Sequence, residues 1–211
     1  MNLRTERALA LMTGGLTVAI IARSTVIPTD WHFAFNTAIV ALSIGVARLA
    51  ALSAEELGLA RQNVGAGLRL GGLAFVAITA VVALGTPFGL LDDDRTTVDL
   101  GDMTLRVLVT IPIGTVVMEE FAFRGVLYGL LERAMRPTAA LVIGAGLFGL
   151  WHVPPLLDEG AGVVLGTLAA TTVAGLGFIW LRRRSGSLLA PMLAHLATNS
   201  STFALSWVAS R

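Results

Sequence analysis

The sequence predicts an all-α, polytopic transmembrane helical bundle, and three observations carry that prediction. The chain is 55% hydrophobic and only 14% charged over 211 residues, with a mean hydropathy of +0.78, whereas soluble domains carry about 25% charged residues. It divides into seven apolar segments, each near the roughly 20 residues a helix needs to cross hydrocarbon. Its arginines fall preferentially on one side of those segments, as short loops on the cytoplasmic side do. A net charge of +1 with no basic block gives no footprint for nucleic acid. The absence of cysteine excludes disulfides, a thiol nucleophile and cysteine-based metal sites.

The segments lie near residues 8–27, 31–52, 70–91, 103–133, 137–153, 161–181 and 186–207. The first is interrupted by Arg23 and lacks a small-residue cleavage site after a short apolar core, so it reads as a span rather than a signal peptide. The second opens on Trp31 and His32, an interfacial pair. Between the second and third, Ala54–Arg69 mixes charge with leucines, either as an amphipathic helix lying in the interface or as a solvated loop. The fourth carries MEEFAFRG. The fifth carries FGLWH and stops at Pro154 and Pro155, the sixth ends in Arg182–Arg184, and the seventh carries HLATN. No repeat, low-complexity tract or linker separates a second domain.

With the N-terminus inside, ten arginines (4, 7, 48, 61, 69, 133, 136 and 182–184) face inward and four (23, 95, 106 and 211) outward. Arg124 is left within the membrane. The acidic loops DDDRTTVDLGD and DEG fall outside, which predicts an integral membrane protein with a cytoplasmic N-terminus and an outer C-terminus. All fifteen basic residues are arginine, a pattern expected from genome composition rather than from function.

Charge in hydrocarbon is the exception that asks for a reason. Each such residue costs about 2.5–3.5 kcal/mol at a helix centre, so intramembrane ionisable groups usually face a cavity and serve function. Glu120 and Arg124 are four apart and share a helix face, where they can neutralise each other. Glu119 is turned about 100° away and has no cation one turn distant on its own helix. On this segment alone, a structural ion pair explains the residues as well as a reactive carboxylate does. The fifth segment adds Phe148 and His152, and the seventh His195 and Asn199, each pair again four apart.

Taken singly, a histidine near a helix end is more often a packed residue. Depth changes that reading. Glu119 is fourteen residues from Arg133, His152 fifteen from Pro137, and Asn199 fourteen from Ser185. At 1.5 Å per residue each lies about 21–23 Å from the inner boundary, with His195 about 15 Å deep. Three segments thus bring their strong polar groups into one layer. A carboxylate and an imidazole can activate water, while a second imidazole and an amide can donate to the oxyanion of a tetrahedral intermediate. Alternatively Glu119, His152 and His195 can hold a divalent metal such as zinc with an open water position. Spacing does not choose between a metal and none.

In these residues the chain resembles the CAAX-processing and bacteriocin-processing (CPBP, or Abi) family of intramembrane proteases, whose pattern is EExxxR, FxxxH and HxxxN. Here these read EEFAFR (Glu119–Arg124), FGLWH (Phe148–His152) and HLATN (His195–Asn199), in the same order on three segments. The resemblance covers residues 103–207, dividing one integral unit into N-terminal transmembrane helices over 1–102 and a catalytic core over 103–211. It implies an intramembrane hydrolase with its site in an internal cavity. Glu119 and His152 would activate water, His195 and Asn199 would stabilise the oxyanion, and Glu120 and Arg124 would order the site. The implied partner is a membrane-associated peptide or protein substrate, with its identity not carried over; the compact, arginine-only chain is expected in a prokaryotic cell membrane.

Rival motifs are weaker. HExxH is absent, since Val153 and Pro154 follow His152, and no glycine-flanked serine nucleophile stands on a buried helix. A proton-coupled transporter using the same Glu, Arg and His residues remains a reading of a different class, although no internal inverted repeat is evident. A third is a peptide-binding or immunity protein that does not cut.

Overall fold

A computed structural model describes residues 2–86 and 98–211. Arg95 and the first part of the predicted acidic loop lie outside the described residues. Among those described the chain is helical with no strand: α1 (Leu3–Thr25), α2 (His32–Leu49), α3 (Ala54–Leu57), α4 (Val64–Gly85), α5 (Leu100–Ala134), α6 (Pro137–Trp151), α7 (Ala161–Ser185) and α8 (residues 189–209). Among the described residues, six helical stretches are long and apolar enough to cross a membrane. The seventh, α8, is long enough but carries His195, Thr198, Asn199, Ser200 and Ser201 along its centre. It is a helix that needs protein rather than lipid around it.

Local sequence explains the helix ends. Asn2 caps α1 by accepting from the Arg4 and Thr5 amides, and Asp99 caps α5 through the Asp102 amide. Pro137 opens α6 at a position whose missing N–H has no intrahelical partner. Pro154 and Pro155 prevent the same helix from continuing beyond His152. In α5 the backbone widens to π-type turns over Arg106–Val117 and Glu120–Leu127, with Pro112 inside the first stretch. Wide turns of this kind are uncommon and recur at functional sites. They flank Met118 and Glu119.

The helices approach closely where side chains are smallest. A Cβ at Gly149 would collide with Thr172 and Leu168 of α7, and one at Gly71 would meet the Ala190 backbone of α8 at 2.8 Å. Small residues at such crossings are how membrane helices gain packing without a hydrophobic drive between them. Polar ties add to the packing: Asn36 of α2 donates to the Gly114 carbonyl at 2.7 Å, and Ser200 of α8 to the Val107 carbonyl at 3.1 Å.

Two expectations change at the inner end. The third span begins at Val64, not near residue 70, and Ala54–Arg69 is neither one amphipathic helix nor a free loop. Ser53 and Glu56 form a capping box around the single turn of α3, and Gly58 ends it at φ 73°, a left-handed conformation suited to glycine. Arg133 then binds Glu56 and the carbonyls of Ala50 and Ala51. Arg182 donates to the carbonyls of Glu55 and Glu56 at 2.8 and 3.0 Å. Two guanidinium forks therefore dock the segment onto α5 and α7. His32 is half-buried, its Nε2 donating to the Ile27 carbonyl at 3.2 Å.

Candidate active site

Two helices bring five of the six predicted polar residues into contact. From α5 come Glu119, Glu120 and Arg124, which are 4%, 0% and 1% exposed; from α8 comes His195, at 4%. Arg124 Nη1 donates to Glu120 Oε1 at 3.0 Å. The same oxygen accepts from His195 Nδ1 at 2.7 Å. That contact fixes a proton on Nδ1, because an ionised carboxylate can only accept. On the other side of the ring, Asn199 Nδ2 lies 3.2 Å from Nε2, and Glu119 Oε2 lies 3.8 Å from it. The result is a continuous chain: Arg124, Glu120, His195, then Asn199 and Glu119.

Glu119 is held differently from its neighbour. Its Oε1 accepts from Trp151 Nε1 at 3.2 Å, while its Oε2 is buried without a hydrogen-bond partner. Glu120 Oε2 and Arg124 Nη2 are likewise buried and unpartnered. Unpaired polar atoms of this kind are costly, and more so when charged. Three in one cluster mark a place where the fold accepts a penalty for polar chemistry.

His152 sits at the end of α6 and makes no hydrogen bond to the other polar residues of the cluster. Its Nδ1 donates to the Phe148 carbonyl at 2.8 Å, satisfying one of the four terminal carbonyls a helix leaves unpaired. In the neutral ring Nε2 is therefore the acceptor. Phe148 joins the two imidazoles, its ring centroid 4.7 Å from His152 and 6.0 Å from His195, edge-on to both.

Aromatic rings wall the cluster. Phe178 of α7 stacks on His195 at 5.0 Å. The Arg124 guanidinium lies 3.7 Å from the Phe148 centroid and 4.9 Å from that of Phe178, geometry that suits cation–π attraction. Phe123 packs edge-on against Phe148 and Trp151. Beyond Phe123 and Trp151, a cavity of about 230 Å³ opens between α1, α5 and α6, lined mostly by leucine and isoleucine with Thr13 and Thr17.

Sequence reasoning missed Trp151 and Phe178. Trp151 stands inside the quoted FGLWH, but an indole on an apolar helix reads as core until its single N–H is seen to have a target. Phe178 carried no signal. The metal alternative finds no assembled ligand set: among the described residues, no three His, Asp or Glu side chains converge as a group that could hold an ion.

Fold and site together define an integral membrane protein with a buried Glu–Arg–His–Asn cluster inside a helical bundle. Residues 102–201 match the family model described as type II CAAX prenyl endopeptidase Rce1-like. Over this region, a little under half of the chain, the sequence is similar to that family of CAAX endopeptidases, the CPBP family. No curated protein and no solved structure matches.

Proposed function

We propose that the chain is an intramembrane endopeptidase that hydrolyses a peptide bond of a membrane-associated protein or peptide. The observation that carries this reading is the asymmetry at Glu119. One oxygen is anchored by Trp151 and the other is bare, 3.8 Å from His195 Nε2. A water between Glu119 Oε2 and His152 Nε2 gives its proton to Glu119 as its oxygen attacks the carbonyl carbon. The new C–O bond leaves an oxyanion, which His195 and the Asn199 amide stabilise. Collapse breaks the C–N bond, and Glu119 returns the proton to the departing nitrogen.

Glu120 and Arg124 order the site in this scheme: Glu120 orients His195, and Arg124 balances Glu120. Residues 103–211 form the catalytic core and residues 1–102 the helices that flank it. No step is routed through a metal. The family description names a CAAX prenyl endopeptidase; the assignment here is the reaction and a membrane-associated peptide, not a prenyl group. We place the protein in a prokaryotic cell membrane with the N-terminus cytoplasmic. Supporting that orientation, Arg4, Arg133 and Arg182 all bind the stretch between Leu49 and Glu56, at one end of the bundle.

The test is cleavage of a library of C-terminal and internal peptides by purified protein, with and without a strong chelator. Glu119→Gln should abolish hydrolysis while leaving fold and peptide binding intact, because glutamine still accepts from Trp151. Glu120→Gln should lose stability first and activity in part. Proton-coupled uptake without cleavage, abolished by Glu119→Gln, would sink the protease reading in favour of a transporter.

A further inference from the structure

We infer that an anionic phospholipid binds in the groove between α2, α3 and α5 at the arginine-rich end of the bundle. The groove encloses about 370 Å³ and is lined by Ile44, Ala47, Ala51, Leu52, Leu57 and Phe121, with Arg48 at its mouth. That volume falls within the roughly 300–1,000 Å³ of ordinary ligand sites. Its walls are apolar, and its one charge is a guanidinium.

Charge selects the occupant. Arg48 is exposed and makes no ion pair or side-chain hydrogen bond among the described residues. An unneutralised guanidinium at the mouth of an apolar groove matches a phosphodiester above an acyl chain. A guanidinium presents paired donors to phosphate oxygens, and basic side chains at this level attract the anionic leaflet. An apolar partner helix would instead cover Arg48 with hydrocarbon and leave its charge unpaired.

The rim is built rather than incidental. Ala51 adopts φ 50°, a left-handed conformation that a non-glycine residue rarely takes. Arg133 Nη1 and Nη2 hold it there through the Ala50 and Ala51 carbonyls at 2.7 and 2.8 Å. The same arginine binds Glu56 of α3, so the turn and α3 are pinned as one wall. On the opposite wall Phe121 directly follows Glu120, and an acyl chain in the groove packs against the turn of α5 that carries the site.

This inference stands apart from the protease reading, and its test needs no turnover. Delipidated protein in neutral detergent is titrated with dioleoyl phosphatidylglycerol or dioleoyl phosphatidylcholine and followed by native mass spectrometry. One phosphatidylglycerol should bind per chain ahead of phosphatidylcholine. Arg48→Gln should weaken it about fivefold, the effect of one basic side chain at an anionic surface. Ile44→Trp, which fills the groove and leaves Arg48 in place, should weaken it as well. Glycerol 3-phosphate should not compete, because it lacks the chain. Circular dichroism in the same detergent verifies that each variant is folded, and the two variants report separately if one is not. Equal binding of the two lipids, unchanged affinity in a folded Arg48→Gln, or displacement by glycerol 3-phosphate would overturn the proposal.

Discussion

Arg124 is the residue whose removal should reveal how the buried charges are held. It is 1% exposed, bonded to Glu120 at 3.0 Å, and lies against the faces of Phe148 and Phe178. Arg124→Ala strands Glu120 and opens a cavity beside both rings. Breaking a buried pair costs about 3–5 kcal/mol, and a desolvated cation–π contact about 2 kcal/mol more. Glu120 keeps His195 at 2.7 Å, which offsets part of the loss, so the net expectation is about 3–5 kcal/mol. At about 2–4 °C per kcal/mol for a chain of this size, thermal unfolding in detergent should fall by roughly 6–20 °C. Arg124→Lys keeps the charge but not the planar face and should fall between the two. The double variant Arg124→Ala/Glu120→Gln should melt above Arg124→Ala alone, because the penalty comes from an unpaired carboxylate rather than from a lost bond. If Arg124→Ala melts within about 2 °C of the native protein, or the double variant melts lower still, the buried-pair reasoning is wrong.

Trp151→Phe keeps the aromatic wall but removes the donor to Glu119 Oε1. A hydrogen bond to a charged group contributes about 1.5–3 kcal/mol, so peptidase kcat should drop by roughly tenfold to a hundredfold with little change in KM or melting temperature; a KM change alone would assign Trp151 to substrate packing. Because the chain has no cysteine, a single cysteine placed at the exposed Glu159 should react with an impermeant maleimide only from outside the cell. Labelling only from the cytoplasmic side would invert the topology.

Much of this architecture was legible because the bilayer imposes simple rules. Apolar runs of about 20 residues gave the spans, and a rise of 1.5 Å per residue placed Glu119, His152 and Asn199 at one depth. The pairing of Glu120 with Arg124 followed from helical spacing alone. Contacts between distant segments were not legible. The early start of α4 reflects Gly67 packed against Ser187 and Leu189, partners roughly 120 residues away in the chain. The wide turns of α5 have no local signature beyond Pro112. The partner of Glu119 was hidden because tryptophan serves core packing and hydrogen bonding with the same ring.

The arginine-only composition says nothing of how individual guanidiniums are used. Nothing in the sequence distinguishes Arg133 or Arg182 from a solvated charge near a helix end. In the structure each guanidinium binds several acceptors at once. Arg133 takes both Glu56 oxygens and the carbonyls of Ala50 and Ala51, and Arg182 takes those of Glu55 and Glu56. An ammonium is a compact point charge whose three donors cannot reproduce a planar fork reaching two carbonyls and a carboxylate together. Arg182, 6% exposed, makes both of its bonds through Nη2. The clasp also explains why α3 is ordered although a single helical turn has no stability of its own: its geometry is imposed by α5 and α7, the helices that carry Glu119 and Phe178.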